Sequence, residues 1–481
     1  MSRPRIKNLA LIVASALAGG ALTVSIQAFA DKEAPLAPLP LNELRTFAEV
    51  FGRIKQDYVE PVNDKKLIND AIKGMITGLD PHSDYMDADS FKELRETTQG
   101  EFGGLGIEIG AEDGLIKVIS PIDDTPAYRA GVKSGDLIVK IDDTPVRGLT
   151  PNDAVKRMKG KPGTKVTLTL LRKNEAKPLV VTITRAIIRY RSVKSGLVEP
   201  GYGYVRISQF MDPTTANMAA AITSLYRQNK APLKGLVLDL RGNPGGVLTG
   251  AVGVSAAFLP KDTLVVYTEG RAADSKMKLF ANAGNYSAPN QPDPLAKLPP
   301  EVRKVPLVVL VNSGSASASE IVAGALQDNK RALILGTQTF GKGSVQSILP
   351  LGTAGGIKLT TARYFTPSGH SIQAKGITPD VVVENGVLTT GEQALRIREA
   401  DLEHHLSNPN GEDKTEPRPA KKVAPPAPAP ASVPAPAGNG SKATPDDDPQ
   451  SGAIPNPKND YQLSQAITTL KVQQLMLKKA N

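Results

Sequence analysis

Three serines, Ser315, Ser317 and Ser319, share the small-residue segment Asn312-Ser313-Gly314-Ser315-Ala316-Ser317-Ala318-Ser319-Glu320-Ile321, and Phe340-Gly341-Lys342-Gly343 places a lysine 25 residues beyond Ser317. A serine hydroxyl becomes a nucleophile only when a neighbouring base accepts its proton. Histidine is the usual base, but the chain has four histidines, His82, His370, His404 and His405. His370 is the one well inside the core pattern, and it keeps a conventional Ser-His hydrolase open as an alternative. The chain has no cysteine and no His/Asp cluster, so thiol and zinc chemistry are not supported and neither metal nor cofactor is expected. A lysine base remains. Its free pKa is about 10.4, and a shift of three units corresponds to about 4 kcal/mol disfavouring the charged form. Desolvation supplies such shifts. Lys342 stands between glycines in a mostly uncharged stretch, which suits burial.

Attack on a carbonyl also needs donors for the developing oxyanion. One source is the backbone N–H of Ala318, at the positive end of the helix that begins there. Another is the turn Arg241-Gly242-Asn243-Pro244-Gly245-Gly246, where missing side chains let backbone N–H groups approach a reacting carbonyl. Gln346, four residues beyond Lys342, is placed to orient the lysine, and Asp328 at the end of the serine helix reads as structural support. Plainer readings stand beside these. Serines at helix starts are commonly caps, Arg241–Gly246 alone is a turn, and spacing does not choose among the three serines. A phosphate loop would need Gly-x-x-x-x-Gly-Lys-Ser/Thr, which is absent.

Stepping outward, the elements that would position these groups follow from pattern. Gly235–Leu240, Pro306–Val311 and Arg331–Gly336 are near-continuous apolar strands separated by small-residue helices. That pattern predicts an α/β core with parallel pairing over residues 187–400. Segment 264–300 reads as a mobile surface excursion. Residues 99–186 hold Phe102-Gly103-Gly104-Leu105-Gly106-Ile107-Glu108-Ile109, then Pro126–Val132, Gly135–Ile141, a helix at Asn152–Met158 and a strand at Lys165–Arg172. Their order and length resemble a PDZ domain. The backbone N–H groups of Gly104, Leu105 and Gly106 would hold a terminal carboxylate, and the strand from Ile107 would pair with an extended tail.

The ends have different character. Arg3, Arg5 and Lys7 precede an apolar run from Leu9 to Val24, closed by Ala28-Phe29-Ala30, the pattern of a secretory signal peptide over residues 1–30. Its removal lowers the formal net charge from +10 to +7. The excess is thinly spread without an aromatic-interleaved basic patch, which argues against nucleic acid and leaves a peripheral attraction to an anionic envelope surface. A soluble periplasmic protein without disulfides is the simplest expectation. Residues 31–98 carry a helical face of Leu44, Phe47, Ala48, Phe51, Ile54 and Tyr58, suited to its own core or to a dimer contact. Residues 401–458 are Pro/Ala-rich and read as a disordered linker. The helix over residues 459–481, with Leu463, Ala466, Ile467, Leu470 and Leu477 on one side, has no core of its own, so an assembly or partner-binding role is favoured over packing back on the body.

The ordered set from Gly78-Leu79-Asp80-Pro81-His82-Ser83 through the PDZ-like region, Leu238–Gly246, the serine loop, Gly341-Lys342-Gly343-Ser344-Val345-Gln346 and Arg363–Gly369 resembles the C-terminal processing (tail-specific) serine peptidases, over about residues 41 to 390. The resemblance implies strand–helix layers of crotonase/Clp-protease type with an inserted PDZ domain and helical segments at both ends. By motif position it implies Ser317 as nucleophile, Lys342 as general base, Gln346 as its orienter, and Gly245 and Ala318 as oxyanion donors. It further implies endopeptidase action on protein tails recognised by the PDZ domain. The expected partners are protein substrates with accessible C-termini, further copies of the chain joined through the N- and C-terminal helices, and a lipoprotein adaptor. A non-catalytic PDZ scaffold is the rival of a different class; it would need neither Ser317 nor Lys342.

Overall fold

The computed structural model describes residues 39–384 except 113, 123, 174, 176, 353 and 354, together with 386, 399–401, 405–407, 409 and 454–480. The expected signal peptide and most of the expected linker lie outside these residues. Two compact units divide between Ile72 and Lys73. In the first, helix α1 (Leu41–Asp57) is followed by the start of helix α2 (Asp64–Thr77). An ion pair of 2.9 Å joins Lys55 to Asp64. No residue of α1 is buried, and its apolar positions Leu44, Phe47, Val50 and Ile54 are exposed. No described helix is long and apolar enough to cross a membrane.

The second unit begins with the end of α2, the short strand β1 (Asp84–Met86) and helix α3 (Ala88–Gln99). Asp87 caps α3 by accepting from the Ser90 N–H at 2.9 Å, and Gly100 ends it at φ 69°, a left-handed cap that favours glycine.

A PDZ-like module follows: β2 (Glu101–Gly104), β3 (Ile107–Glu112), β4 (Leu115–Pro121), α4 (Pro126–Arg129), β5 (Leu137–Ile141), β6 (Thr144–Pro145), α5 (Pro151–Met158), β7 (Lys165–Leu171), β8 (Leu179–Thr184) and β9 (Ala186–Arg189). The sheet runs β3-β4-β5-β7-β8, which leaves β3 at an edge. Leu105, Val118, Ile138, Leu168 and Ala154 fill its core. Strands β2 and β9 pair antiparallel as a separate ribbon at the module's two ends.

The third part contains β10 (Val193–Glu199), β11 (Tyr202–Ile207), α6 (Thr214–Asn229), β12 (Gly235–Asp239), α7 (Leu248–Phe258), β13 (Leu264–Gly270), β14 (Lys278–Phe280), α8 (Ala283–Tyr286), β15 (Leu307–Val311), α9 (Ala318–Asp328), β16 (Leu333–Gly336), β17 (Ser344–Pro350), β18 (Gly356–Phe365) and β19 (Val381–Val382). The main sheet is ordered β10-β11-β12-β15-β16-β19, parallel from β11 onward. The continuous apolar runs arise because both faces are covered. Leu236, Leu238, Leu307, Val309 and Val311 face one core with α6, α7 and α9; the alternate residues Val237, Val308 and Leu310 face a second. Against this sheet's helical layer stands an antiparallel sheet in which β18 pairs with β1, β13 and β17.

Two expectations are corrected here. Segment 264–300 is not a surface excursion: Val265, Val266, Ala281 and Leu295 are buried in the larger core. The C-terminal helix α10 (Tyr461–Ala480) does pack back on the body. Its Leu463, Ala466, Ile467 and Leu470 are buried against Tyr202, Tyr204, Val237, Val308 and Leu335. The helix supplies the missing cover for the sheet's second face, and Gly235 gives Leu470 room, since a Cβ there would meet the leucine side chain at 3.0 Å. Truncating Leu470 to alanine is expected to cost about 2–5 kcal/mol in urea unfolding. The same change at Leu475, which is 61% exposed, should stay within about 0.5 kcal/mol.

Candidate active site

The site lies where three neighbouring parallel strands end. Strand β12 runs into the Arg241–Gly246 turn, β15 into the serine loop, and β16 into the loop carrying Lys342. Parallel neighbours deliver their C-terminal loops to the same edge of the sheet, which is why ligand sites in α/β sheets sit there.

The three serines are now distinguishable. Ser315 Oγ donates to the Leu240 carbonyl at 2.8 Å and accepts from the Asn312 N–H at 3.0 Å. Ser319 Oγ donates to the Asn243 carbonyl at 2.9 Å. Both tie the serine loop to the β12 turn. Ser317 is held differently. It occupies φ 53°, ψ −111° at the cap of α9, a conformation that costs a side-chain-bearing residue about 1–3 kcal/mol. Its side chain lies in hydrogen-bond contact with the Tyr364 hydroxyl, whose phenol burial pushes up to about 12. A strained serine between strand and helix is the arrangement that presents a nucleophile at a sheet edge.

Glu320 joins the two loops. It sits one turn into α9, fully buried. Its Oε2 accepts from the Ser317 N–H at 2.7 Å and from the Lys342 N–H at 2.9 Å, while Oε1 accepts from the Gly341 N–H at 2.7 Å and from Thr339 Oγ1. The Ser317–Glu320 spacing is a capping-box signature readable in sequence, but its reach to the lysine loop is not. Burial pushes the Glu320 carboxyl up to about 7, against these four donors, which favour its ionised form.

Lys342 is half-buried. Burial lowers its ammonium pKa from the ordinary value, and the neighbouring charge of Lys358 adds to this; Glu399, Glu320 and Asp80 oppose it. Gln346 is on β17 opposite Thr360. Its Nε2 donates to Ser344 Oγ at 2.9 Å and to Thr360 Oγ1 at 3.2 Å, so these hydrogen bonds join it to its strand neighbours rather than to the lysine.

The Ala318 N–H is the first of α9 and has no acceptor within the helix. Gly245 stands against Ser317: a Cβ there would lie 2.8 Å from Ser317 Cβ and 3.0 Å from the Ala318 nitrogen, and its φ is 100°. Its own N–H donates to Asn243 Oδ1 at 2.9 Å. In this conformation Gly245 therefore differs from the expected oxyanion donor; what it provides is close approach. Behind the turn, Asp239 is fully buried. Burial opposes its ionisation, but Arg241 and Arg206 outweigh this and hold its carboxyl below the ordinary range. Arg241 bridges Asp239 at 2.7 Å to Asp460, before α10, at 2.6 Å.

His370 is exposed on the far side of a turn, and its Nδ1 meets Ser368 Oγ at 2.8 Å. Ser368 in turn donates to Asp328 at 2.6 Å, in keeping with a structural role for that carboxylate. In the PDZ-like module, Gly104 ends β2 and Ile107 begins β3. The Leu105 carbonyl accepts from the Ala127 N–H at 3.0 Å and the Gly106 carbonyl from the Ile122 N–H at 2.9 Å. Gly106 has φ 78°, and a Cβ there would collide with Thr125.

Comparison with known proteins agrees with this layout. Residues 201–383 match peptidase family S41, residues 103–183 match the PDZ domain, and residues 20–90 match the activating protease CtpB N-terminal domain. The chain is 50% identical over 366 residues to a carboxy-terminal-processing protease of Bartonella bacilliformis, covering 74% of this chain and 80% of that protein. It is 35% identical over 387 residues to the carboxy-terminal processing protease CtpA of Bacillus subtilis, covering 79% and 78%. Among solved structures, a photosystem II D1 C-terminal processing protease is 30% identical, with 75% of this chain and 98% of that one covered, at a TM-score of 0.40. An S41 core, a PDZ domain and relatives of this identity make the chain a member of the carboxy-terminal-processing serine peptidases of family S41.

Proposed function

We propose that this chain is a periplasmic endopeptidase that takes up extended C-terminal tails on its PDZ domain and cleaves them with Ser317 as nucleophile and Lys342 as base. The observation that carries this reading is the shared Glu320 oxygen, on which the backbones of Ser317 and Lys342 converge. In the proposed reaction, neutral Lys342 Nζ takes the proton of Ser317 Oγ as Oγ attacks the scissile carbonyl. The Ala318 N–H stabilises the oxyanion, and the lysine returns its proton to the leaving amine. Gly245 keeps the approach to Ser317 open; it donates to the oxyanion only if its N–H leaves Asn243. Gln346 acts through Ser344 and Thr360 in holding the strand that follows the lysine.

The open edge of β3 supports tail capture, because an added strand there would gain main-chain pairing next to the Gly104–Gly106 turn. The basic, apolar N-terminus supports export. The exposed apolar face of α1 supports self-association. A lipoprotein adaptor is carried over from the family resemblance.

Ser317→Ala and Lys342→Ala should each lower cleavage of unfolded β-casein on the order of 10³–10⁶-fold with the fold retained; full cleavage by either variant excludes its assigned role. Because the base must be neutral, acylation of Ser317 by a fluorophosphonate should rise with pH. The midpoint should fall below the ordinary lysine value of 10.5, and a rate independent of pH between 6 and 10 would count against Lys342. Gly245→Ala should lower kcat by about 100-fold, since displacing the reacting groups by about 1 Å costs that much, and its crystal structure should show Ser317 shifted. A peptide with a free apolar C-terminus should perturb β3 amide resonances, and its C-terminal amide should not.

A further inference from the structure

Glu399 is a buried carboxylate that the proposed reaction does not use. It is fully buried in a single helical turn, Glu399–Asp401, and it brackets the lysine loop. Its N–H donates to the Phe340 carbonyl at 3.2 Å, two residues before Lys342. Its Oε1 accepts from Gln373 Nε2 at 2.9 Å. Gln373, itself buried, accepts the Gly343 N–H on Oε1 at 3.0 Å, one residue after Lys342. On its outer side the carboxylate meets His82 Nε2 at 2.9 and 2.7 Å.

His82 belongs to the loop after α2, and that loop touches the other half of the site. Asp80 Oδ1 accepts from the His82 and Ser83 N–H groups at 2.8 and 2.9 Å and from Thr360 Oγ1 at 3.0 Å. Thr360 is the residue that holds Gln346. A buried, hydrogen-bonded polar side chain is a costly way to fill space, and apolar groups of similar volume are often as stable or more so. What a carboxylate adds here is direction: it aims one side-chain amide at the Gly343 N–H while its own backbone holds Phe340.

We propose that the chain His82–Glu399–Gln373 is a positioning element for Lys342, by which the loop after α2 sets the height and tilt of the lysine loop. This rests on Lys342 being the base. The groups whose charges reach Lys342 are Lys358, Glu399, Glu320 and Asp80, so neutralising Glu399 removes one anion that favours the ammonium.

The test uses the full chain, with β-casein cleavage, Ser317 labelling by a fluorophosphonate across pH, and Tm as the check on folding. His82→Leu should lower kcat between about 10- and 100-fold with KM within about twofold. His82→Gln, which keeps an N–H donor for Glu399, should recover most of the loss. Glu399→Gln preserves the shape and the acceptor for Gln373, and should move the rising limb of the labelling profile to lower pH. A parent-like kcat in folded His82→Leu, or an unshifted limb in Glu399→Gln, overturns the proposal; if His82→Leu does not fold, the limb alone decides. Lys342→Ala is run alongside. Full labelling in that variant overturns the base assignment, whereas loss there with parent-like His82 and Glu399 variants overturns only the positioning element.

Discussion

A single buried carboxylate, that of Glu320, accepts N–H groups from both loops of the proposed active site, and the geometry of the site depends on it. Ser317 and Lys342 come from loops after different strands, so no local preference relates them. A carboxylate can accept several donors at once, and on the first turn of α9 it faces the positive end of the helix. Its desolvation is opposed by four hydrogen bonds, so it is well placed only when both loops are closed. The positive φ at Ser317 fits the same picture: strain at the proposed nucleophile is tolerated where the surroundings over-determine it.

The scaffold makes this closure possible by topology. Parallel pairing of β12, β15 and β16 brings three loops to one edge, and side chains then lock them in depth. Asn312 holds the Gly242 and Gly314 N–H groups; Asn243 binds the Ile207 carbonyl and the Gly245 N–H. These asparagines work as backbone substitutes where the chain turns too sharply to pair with itself. The antiparallel sheet contributes through β18, whose Tyr364 donates its N–H to the Gly343 carbonyl at 2.7 Å while its hydroxyl meets Ser317.

The C-terminal helix enters the same architecture from behind. It completes the second face of the sheet, and Asp460 and Gln462 hold the outer edge of Arg241. Arg241 neutralises buried Asp239 at the start of the turn that abuts Ser317. A segment remote in sequence thus shares hydrogen bonds with the turn beneath the proposed site.

Much was legible in the residues themselves. The lack of cysteine, the scarcity of histidine and the glycine-flanked Lys342 pointed to a lysine base, and the apolar strands announced a sheet covered on both faces. Those are properties of composition and short-range period, which a chain carries wherever it folds. Spacing alone did not choose among the three serines and the family resemblance implied Ser317 by motif position; what only the fold shows is that the Ser315 and Ser319 hydroxyls are committed to the Leu240 and Asn243 carbonyls. The place of α10 was misjudged for the same reason: an amphipathic helix after a polar linker looks unpartnered until the sheet that lacks a cover is known. Glu320, Glu399 and His82 read as ordinary charged or capping residues along the chain. Burial and convergence give them their roles, and both arise only when segments far apart in sequence are brought together.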